Sequence, residues 1–238
     1  MIKNNTAKVL KVEYFTERVY EITLERNDLP FKVGMALSIV GPDGKTVRSF
    51  SLSSGLHEDE FRMLIKEIPG GKLSPWLGQM KPGDEVQFRG PFGPFRPGDH
   101  GGDPFCYIAT GTGITPLLSH FHSHPERPPA RLLYGVRHVR EAVFFDTLSG
   151  WCPTTLCVSG EDPPEGHHRG RVTDILDTLP LEAPMHYDLC GLDDMIFDVR
   201  DWLMERGVEK DRIHHEVFFR APRKLPPLPP KKPPTHGA

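Results

Sequence analysis

The sequence predicts a β part followed by an α/β part: an antiparallel β-barrel, then an open parallel sheet with helices. Short β-branched and aromatic runs, separated by turn signals, fill the first hundred residues. A Gly/Pro-rich join, RPGDHGGDP (96–104), then interrupts the pattern. Beyond it, strand-like runs alternate with helix-like ones, which is how a parallel sheet is written. The expected division is 1–98, 103–219, and a Pro-rich basic tail at 220–238.

Taken in order, AKVLKVEYF (7–15), VYEITLER (19–26), MALSIV (35–40) and EFRMLIKEI (60–68) read as strands. GPDGK (41–45), PGG (69–71) and KPGD (81–84) are the turns between them. VRSFS (47–51) is β-like, with one arginine and several hydroxyls around a single aromatic ring. Several short strands at this spacing suggest an antiparallel barrel. In the second part FCYIAT (105–110) is a buried strand, and GTGITPLLSHFHS (111–123) is a glycine turn opening a helix. ARLLYGVR, TTLCVS, MHYDLCG and IHHEVFF are further strands. EAVFFDTLSG, with a stop at Gly150, VTDILDTL, and DDMIFDVRDWLMERG, with a stop at Gly207, are helices.

Composition excludes several classes. With 37% hydrophobic and 26% charged residues the chain is globular, and no apolar run approaches the roughly 20 residues that cross a bilayer. The first residues have no signal-peptide form, so a cytoplasmic address is expected. Four cysteines, Cys106, Cys152, Cys157 and Cys190, make no disulfide framework. Cys152 and Cys157 have the spacing that opens a plant-type iron–sulfur site, but Gly160 stands where the third ligand belongs. The net charge is −3, and 220–238 holds five Lys/Arg and no acid, so the remainder carries −8. That balance gives the body no affinity for nucleic acid. His120, His122 and His124 alternate, and i, i+2 residues do not share a helix face. With the pairs His167–His168 and His214–His215 they read as solvated side chains, and no metal site is expected.

Two turns carry chemistry. ATGTGITP places a glycine turn between a strand end and a helix start, where backbone amides and the helix dipole attract an anion such as a pyrophosphate. Gly111 and Gly113 allow close approach to the backbone, and Pro116 suits the first helical turn. It is neither a G-x-G-x-x-G fingerprint nor a Walker loop. A tight strand–helix turn accounts for it equally well. DLCGLDDM repeats the arrangement, with Gly191 turning and Asp193 and Asp194 capping the next helix. Both lie on the rim where open α/β sheets bind ligands.

Together these segments resemble the ferredoxin–NADP reductase family of flavoenzymes, over nearly the whole chain up to Phe219. RSFS (48–51) resembles its Arg-x-Tyr/Phe-Ser flavin motif, and IKEIPGGKLSPWL (65–77) the segment around the flavin pyrophosphate. GPFGPF (90–95) resembles the end of its barrel, GTGITP and CGLDDM its two pyridine-nucleotide motifs, and HHEVFF its last strand. The resemblance implies an FAD enzyme without an iron–sulfur domain. It would move electrons between NAD(P)H and a one-electron carrier, ferredoxin or flavodoxin. The alternatives are the reductase component of an oxygenase, or an electron-transfer subunit of a larger complex.

It also implies roles residue by residue. Arg48 would pair with the FAD pyrophosphate, since a guanidinium fork suits a diphosphate. Phe50 would lie against the isoalloxazine, without the hydroxyl of the family's frequent tyrosine, between Ser49 and Ser51. Ser51 would address the flavin N5. Ile65 and Lys66 lead into the loop where Gly70, Gly71, Lys72, Leu73 and Ser74 would hold the pyrophosphate from the other side. Gly111, Thr112, Gly113, Thr115 and Pro116, with Cys190, Gly191 and Met195, would form the nicotinamide side. Ser51, Cys190 and Glu216 would be the catalytic residues, Glu216 stabilising a flavin state or relaying a proton. Phe218 would cover the flavin and move aside for nicotinamide. Arg137 and Arg171 favour a 2′-phosphate, hence NADPH, with NADH the alternative, because Gly160 stands where NADPH-using relatives often have an arginine. A monomer is expected. The tail, RAPRKLPPLPPKKPPTHGA, reads as extended polyproline II that could steer an acidic carrier.

Overall fold

The computed structural model describes residues 4–219. The Pro-rich extended tail expected at 220–238 lies outside the described residues. The chain builds two six-stranded sheets joined by the connector 93–104.

The first sheet contains β1 (Asn5–Tyr14), β2 (Val19–Glu25), β3 (Ala36–Val40), β4 (Val47–Ser51), β5 (Glu60–Lys66) and β6 (Glu85–Phe92). Every pairing in it is antiparallel, and the order is β4-β3-β6-β1-β2-β5. Its inner face is a core of Tyr20, Ile22, Leu37, Ile39, Phe61, Met63 and Phe88. A short helix, α1 (Ser74–Gly78), not anticipated from the sequence, adds Leu77 to that core.

The expected barrel is corrected in one respect: no strand ladder joins the edge strands β4 and β5 among the described residues, so the sheet is not a closed barrel. The reason lies just past β4. Leu52 N–H still bonds back to Met35 on the β3 side, at 2.9 Å. Only from Ser53 does the chain reach β5, with Ser53 N–H on the Arg62 carbonyl at 2.7 Å and Arg62 N–H on Ser54 Oγ at 3.2 Å. Along 47–51 the edge stays open.

The second sheet is parallel throughout. It contains β7 (Phe105–Thr110), β8 (Arg131–Val136), β9 (Thr154–Val158), β10 (His168–Arg169), β11 (His186–Leu192) and β12 (Ile213–Phe219), in the order β10-β9-β8-β7-β11-β12. Its inner strands β7 and β8 are apolar on both faces, as covered parallel strands must be, whereas the edge strands β10 and β12 carry polar residues. Tyr107 and Ala109 of β7 enter one core while Cys106 and Ile108 enter the other. Val19, Leu64 and Phe95 of the first half belong to the same core as Tyr107 and Leu117, so the halves share buried surface.

Helices cover this sheet: α2 (Thr115–Ser123), α3 (Phe145–Trp151) and α4 (Asp193–Glu205). Three local expectations are corrected. α3 runs past Gly150 to a cap at Cys152, so Gly150 is not its stop. Residues 172–178 form a 3₁₀ segment broken at Ile175 rather than a regular helix. Asp193 and Asp194 sit in the first turn of α4, where carboxylates suit the helix dipole, and Leu192 is the cap residue. Gly207, at φ +82°, does end α4. No helix among the described residues is long and apolar enough to cross a membrane.

Candidate functional site

A cavity of about 800 Å³ opens along the unpaired edge of β4. That volume lies toward the upper end of the roughly 300–1,000 Å³ typical of cofactor sites. Arg48, Ser49, Phe50 and Ser51 of β4 form one wall, and Leu64, Ile65 and Lys66 of β5 another. Ile68 and Gly71 to Ser74 close one end, and Thr112 with residues 216–219 of β12 close the side toward the second half.

The β4 residues are placed by pairing with β3, which sets Ser49 opposite Ser38 and Ser51 opposite Ala36. The Ser38 and Ser49 hydroxyls lie 2.7 Å apart. Phe50 is half-buried against the first core. Arg48 is exposed and donates one hydrogen bond, to the Val47 carbonyl at 2.8 Å. A fork with spare donors at a cavity wall suits an anionic ligand.

The loop after β5 is a fixed cradle. Gly71 N–H donates to the Ile68 carbonyl at 2.8 Å, and Gly70 holds φ +72°, a conformation natural to glycine. The Ser74 hydroxyl accepts from Ile68 N–H at 3.0 Å, and the Ser74 carbonyl accepts from the buried Tyr20 hydroxyl at 2.6 Å. Leu73 is buried, which leaves Lys72 exposed beside it.

Ser51 and Glu216 bring the two halves together at the cavity. The Ser51 hydroxyl donates to Glu216 Oε2 at 3.0 Å. Burial pushes the Glu216 carboxyl up, opposed by the Ser51 bond and by Arg96. Glu216 lies beside Cys190 in the β11–β12 register. Cys190 is fully buried, and burial, then the neighbouring Glu216, hold its thiol well above the usual range, so it stays a thiol. Lys66 crosses to Glu141 of the second half at 3.1 Å.

The two glycine turns pack against each other. A Cβ on Gly113 would lie 2.2 Å from the Cys190 carbonyl, and one on Gly191 2.1 Å from Thr110 Oγ1. Gly113 is therefore glycine because the second turn touches it, not because a ligand must. Gly111, at φ +54°, faces open space. Tyr107 donates to the Gly113 carbonyl at 2.9 Å, and Thr110 Oγ1 accepts from Leu192 N–H at 2.9 Å. Thr112 lines the cavity, while Thr115, Pro116 and Met195 are buried in the packing behind it. Arg137 and Arg171 are exposed, past the end of β8 and just before the 172–178 segment, away from the cavity lining. Glu161 shares that rim. Its carboxylate accepts from Val139 N–H at 2.7 Å, which holds it below the usual range.

Sequence reasoning missed Asp43, Lys45 and Thr46, which line the cavity from the β3–β4 turn. Asp43 is held down to about 2 by Thr46 and Lys45 N–H groups and the Thr46 hydroxyl. The available signal was position: this turn connects directly to RSFS. Leu64, Ile68, Val217 and Phe219 were also missed. Lys45, Arg48, Lys66 and Lys72 outnumber Asp43 and Glu216 around the cavity, which fits a ligand carrying a diphosphate.

Residues 15–96 match the family described as oxidoreductase FAD-binding domain. Methane monooxygenase component C of Methylosinus trichosporium is 31% identical over 190 residues, 73% of this chain and 56% of that protein. The chain thus spans little more than half the length of that relative. Ferredoxin–NADP reductase B of Sorangium cellulosum is 27% identical over 89% of this chain and 96% of its own. Among solved structures, the cytochrome P450 reductase GcoB of Amycolatopsis superposes with a TM-score of 0.80 at 26% identity, covering 92% of this chain and 70% of that one.

Proposed function

We propose that the chain is a flavoenzyme of the ferredoxin–NADP reductase family and carries electrons from NAD(P)H through FAD to a one-electron protein carrier, a ferredoxin or a flavodoxin. The observation that supports this reading most directly is the Ser51–Glu216 hydrogen bond inside the cavity. It joins the flavin-motif strand of one half to the last strand of the other, where donor and acceptor cofactors must meet.

Bound there, the flavin supplies the exchange between two-electron and one-electron chemistry, which side chains cannot perform. The chain supplies position and electrostatics. We assign Arg48 and Lys72 to the pyrophosphate, with the backbone of Gly70 to Ser74 opposite, and Phe50 to the ring system. Ser51 is the hydroxyl assigned to N5, and Glu216 holds or passes the proton that accompanies reduction. Phe218 packs on the second core and also lines the cavity, so it is the cover that nicotinamide displaces as it enters over Thr112. Cys190, beneath that contact, keeps its turn closed around Gly113. Arg137 and Arg171 take a 2′-phosphate, opposed by the fixed Glu161 carboxylate on the same rim.

A second reading, the reductase component of an oxygenase system, is favoured by the likeness to a methane monooxygenase component. One set of assays separates the two. The purified protein is expected to be yellow with bound FAD, and a colourless preparation that FAD cannot reconstitute overturns both readings. NADPH and NADH are then tested against ferredoxin, flavodoxin, cytochrome c and a neutral quinone. Efficient ferredoxin or flavodoxin reduction supports the first reading. Quinone reduction with neither carrier reduced supports the second. Arg171→Ala raises KM for NADPH and leaves NADH nearly untouched, and equal losses for both remove the 2′-phosphate assignment.

A further inference from the structure

Three imidazoles meet at the end of the parallel sheet opposite the glycine turns. His100 comes from the connector between the halves, His186 opens β11, and His214 is the second residue of β12. Ring centroids lie 4.3 Å apart for His100 and His186, 4.6 Å for His100 and His214, and 5.4 Å for His186 and His214. One nitrogen from each lies within 4.8 Å of the others. His186 Nδ1 and His214 Nε2 are 3.2 Å apart. Two ligands of a tetrahedral zinc ion, each about 2.0–2.1 Å from the metal, are separated by about 3.3–3.4 Å. One edge of such a tetrahedron is thus already formed.

The surroundings supply the outer groups that metal-binding histidines use. Asp188 is fully buried, and its Oδ2 accepts from Gly98 N–H at 2.9 Å and lies 3.1 Å from His100 Nε2. Its Oδ1 has no hydrogen-bond partner among the described residues. A buried carboxylate left partly unanswered is unfavourable, and a nearby cation removes that penalty. His186 Nε2 lies 3.7 Å from Asp103 Oδ2. In both rings a carboxylate addresses Nε2, which leaves Nδ1 to face inward. A carboxylate on the far nitrogen is the usual way a ligating imidazole is oriented and made more basic.

We propose that His100 Nδ1, His186 Nδ1 and His214 Nε2 bind a zinc-class divalent cation, with Asp188 and Asp103 orienting the first two ligands. Imidazole ligands select zinc, copper or nickel over calcium or magnesium. The stacked rings must fan out by side-chain rotation to bring the remaining nitrogens onto the ion, and water completes the fourth position. The cation clips the connector to the sheet. Zinc has no redox chemistry and so takes no part in electron transfer; His186 is four residues from Cys190, or about 13 Å along a strand rising 3.3 Å per residue. The proposed site departs from the expectation of solvated histidines and no metal. Adjacent-residue spacing could not reveal it, because its ligands come from a connector and two strand starts. His120, read as solvated, is buried, whereas His100, His186 and His214 are half-buried.

The test uses the untagged, FAD-loaded full chain, treated with chelator and titrated with zinc chloride by calorimetry, with metal content read by mass spectrometry. The expected result is one equivalent bound at micromolar or tighter affinity, with a higher unfolding temperature in zinc. His186→Ala and His214→Ala abolish that equivalent, and Asp188→Asn weakens it roughly 10–100-fold. His167→Ala, at a half-buried histidine outside the cluster, leaves it intact, and NADPH–quinone activity is unchanged in His186→Ala. His186→Gln replaces His186→Ala if that variant loses FAD or its circular dichroism spectrum. Wild-type binding weaker than about millimolar, or binding undiminished in both the His186 and His214 variants, overturns the proposal.

Discussion

Arg48 makes one hydrogen bond, to the carbonyl of its own neighbour, although it stands on a cavity wall with five donors to offer. Removing it therefore disturbs little in the free protein and much in the loaded one. Arg48→Ala is expected to weaken FAD by about 1.5–3 kcal/mol, roughly 10- to 150-fold in Kd, with an unchanged unfolding temperature of the flavin-free chain. Fluorescence titration of the flavin-free protein measures the first and a thermal melt the second. Ser51 differs, because its hydroxyl already serves Glu216. Ser51→Ala leaves a largely buried carboxyl without that donor and removes the contact assigned to N5. Reduction by NADPH in stopped flow should slow by roughly 2- to 13-fold, the equivalent of about 0.5–1.5 kcal/mol, while nucleotide affinity holds. An unchanged rate with weaker NADPH binding would place Ser51 elsewhere. Their place on the cavity wall was legible through the resemblance of RSFS, a short local motif, to a flavin-binding one. Asp43, Lys45 and Thr46 were not, because a polar turn has the same composition whether it faces solvent or a cavity.

The strands were the most legible elements and the 3₁₀ segments the least. FCYIAT and the last strand fall where the pattern of apolar residues put them. The segment 172–178 carries a helix-like pattern, yet it breaks at Ile175 (φ −129°), and periodicity alone does not register such a break. The open seam between β4 and β5 was equally hidden, since a strand's sequence does not say which edge goes unpaired. The paired glycine turns are legible in composition and misleading in cause. In the sequence, ligand approach is reason enough for Gly113, but in the fold the Cys190 carbonyl occupies the space a Cβ would need. Gly113→Ala should force both turns apart and lower stability by about 1–3 kcal/mol, the usual range for overpacking. FAD content should stay near wild type, since the loop proposed to cradle the flavin lies on the other half, while NADPH affinity falls. Loss of FAD without loss of NADPH affinity would show that the turns do not act as a unit. Gly111→Ala, facing open space but at positive φ, should affect stability less.

At the scale of the whole molecule, charge is unevenly divided. Residues 1–219 carry −8, and 220–238 add five basic residues without an acid. Phe219, the last residue of β12, lines the cavity. The body alone would repel an acidic carrier, and the five basic residues of 220–238 offset part of that charge. The effect acts on encounter rather than on chemistry. Cutting the chain after Arg220 removes four of the five charges. NADPH–quinone turnover with a neutral quinone should be unchanged, because neither nucleotide nor flavin contacts are altered. Reduction of an acidic ferredoxin or flavodoxin should slow, most at low ionic strength, and the difference should fade toward 0.15 M salt, where screening acts over about 8 Å. The measurement is the second-order rate constant for carrier reduction as salt is raised, for both chains. Equal rates at low salt would remove the segment from carrier docking and leave its Arg-x-x-Pro-x-x-Pro run, from Arg223 to Pro229, as a ligand for an aromatic groove on another protein.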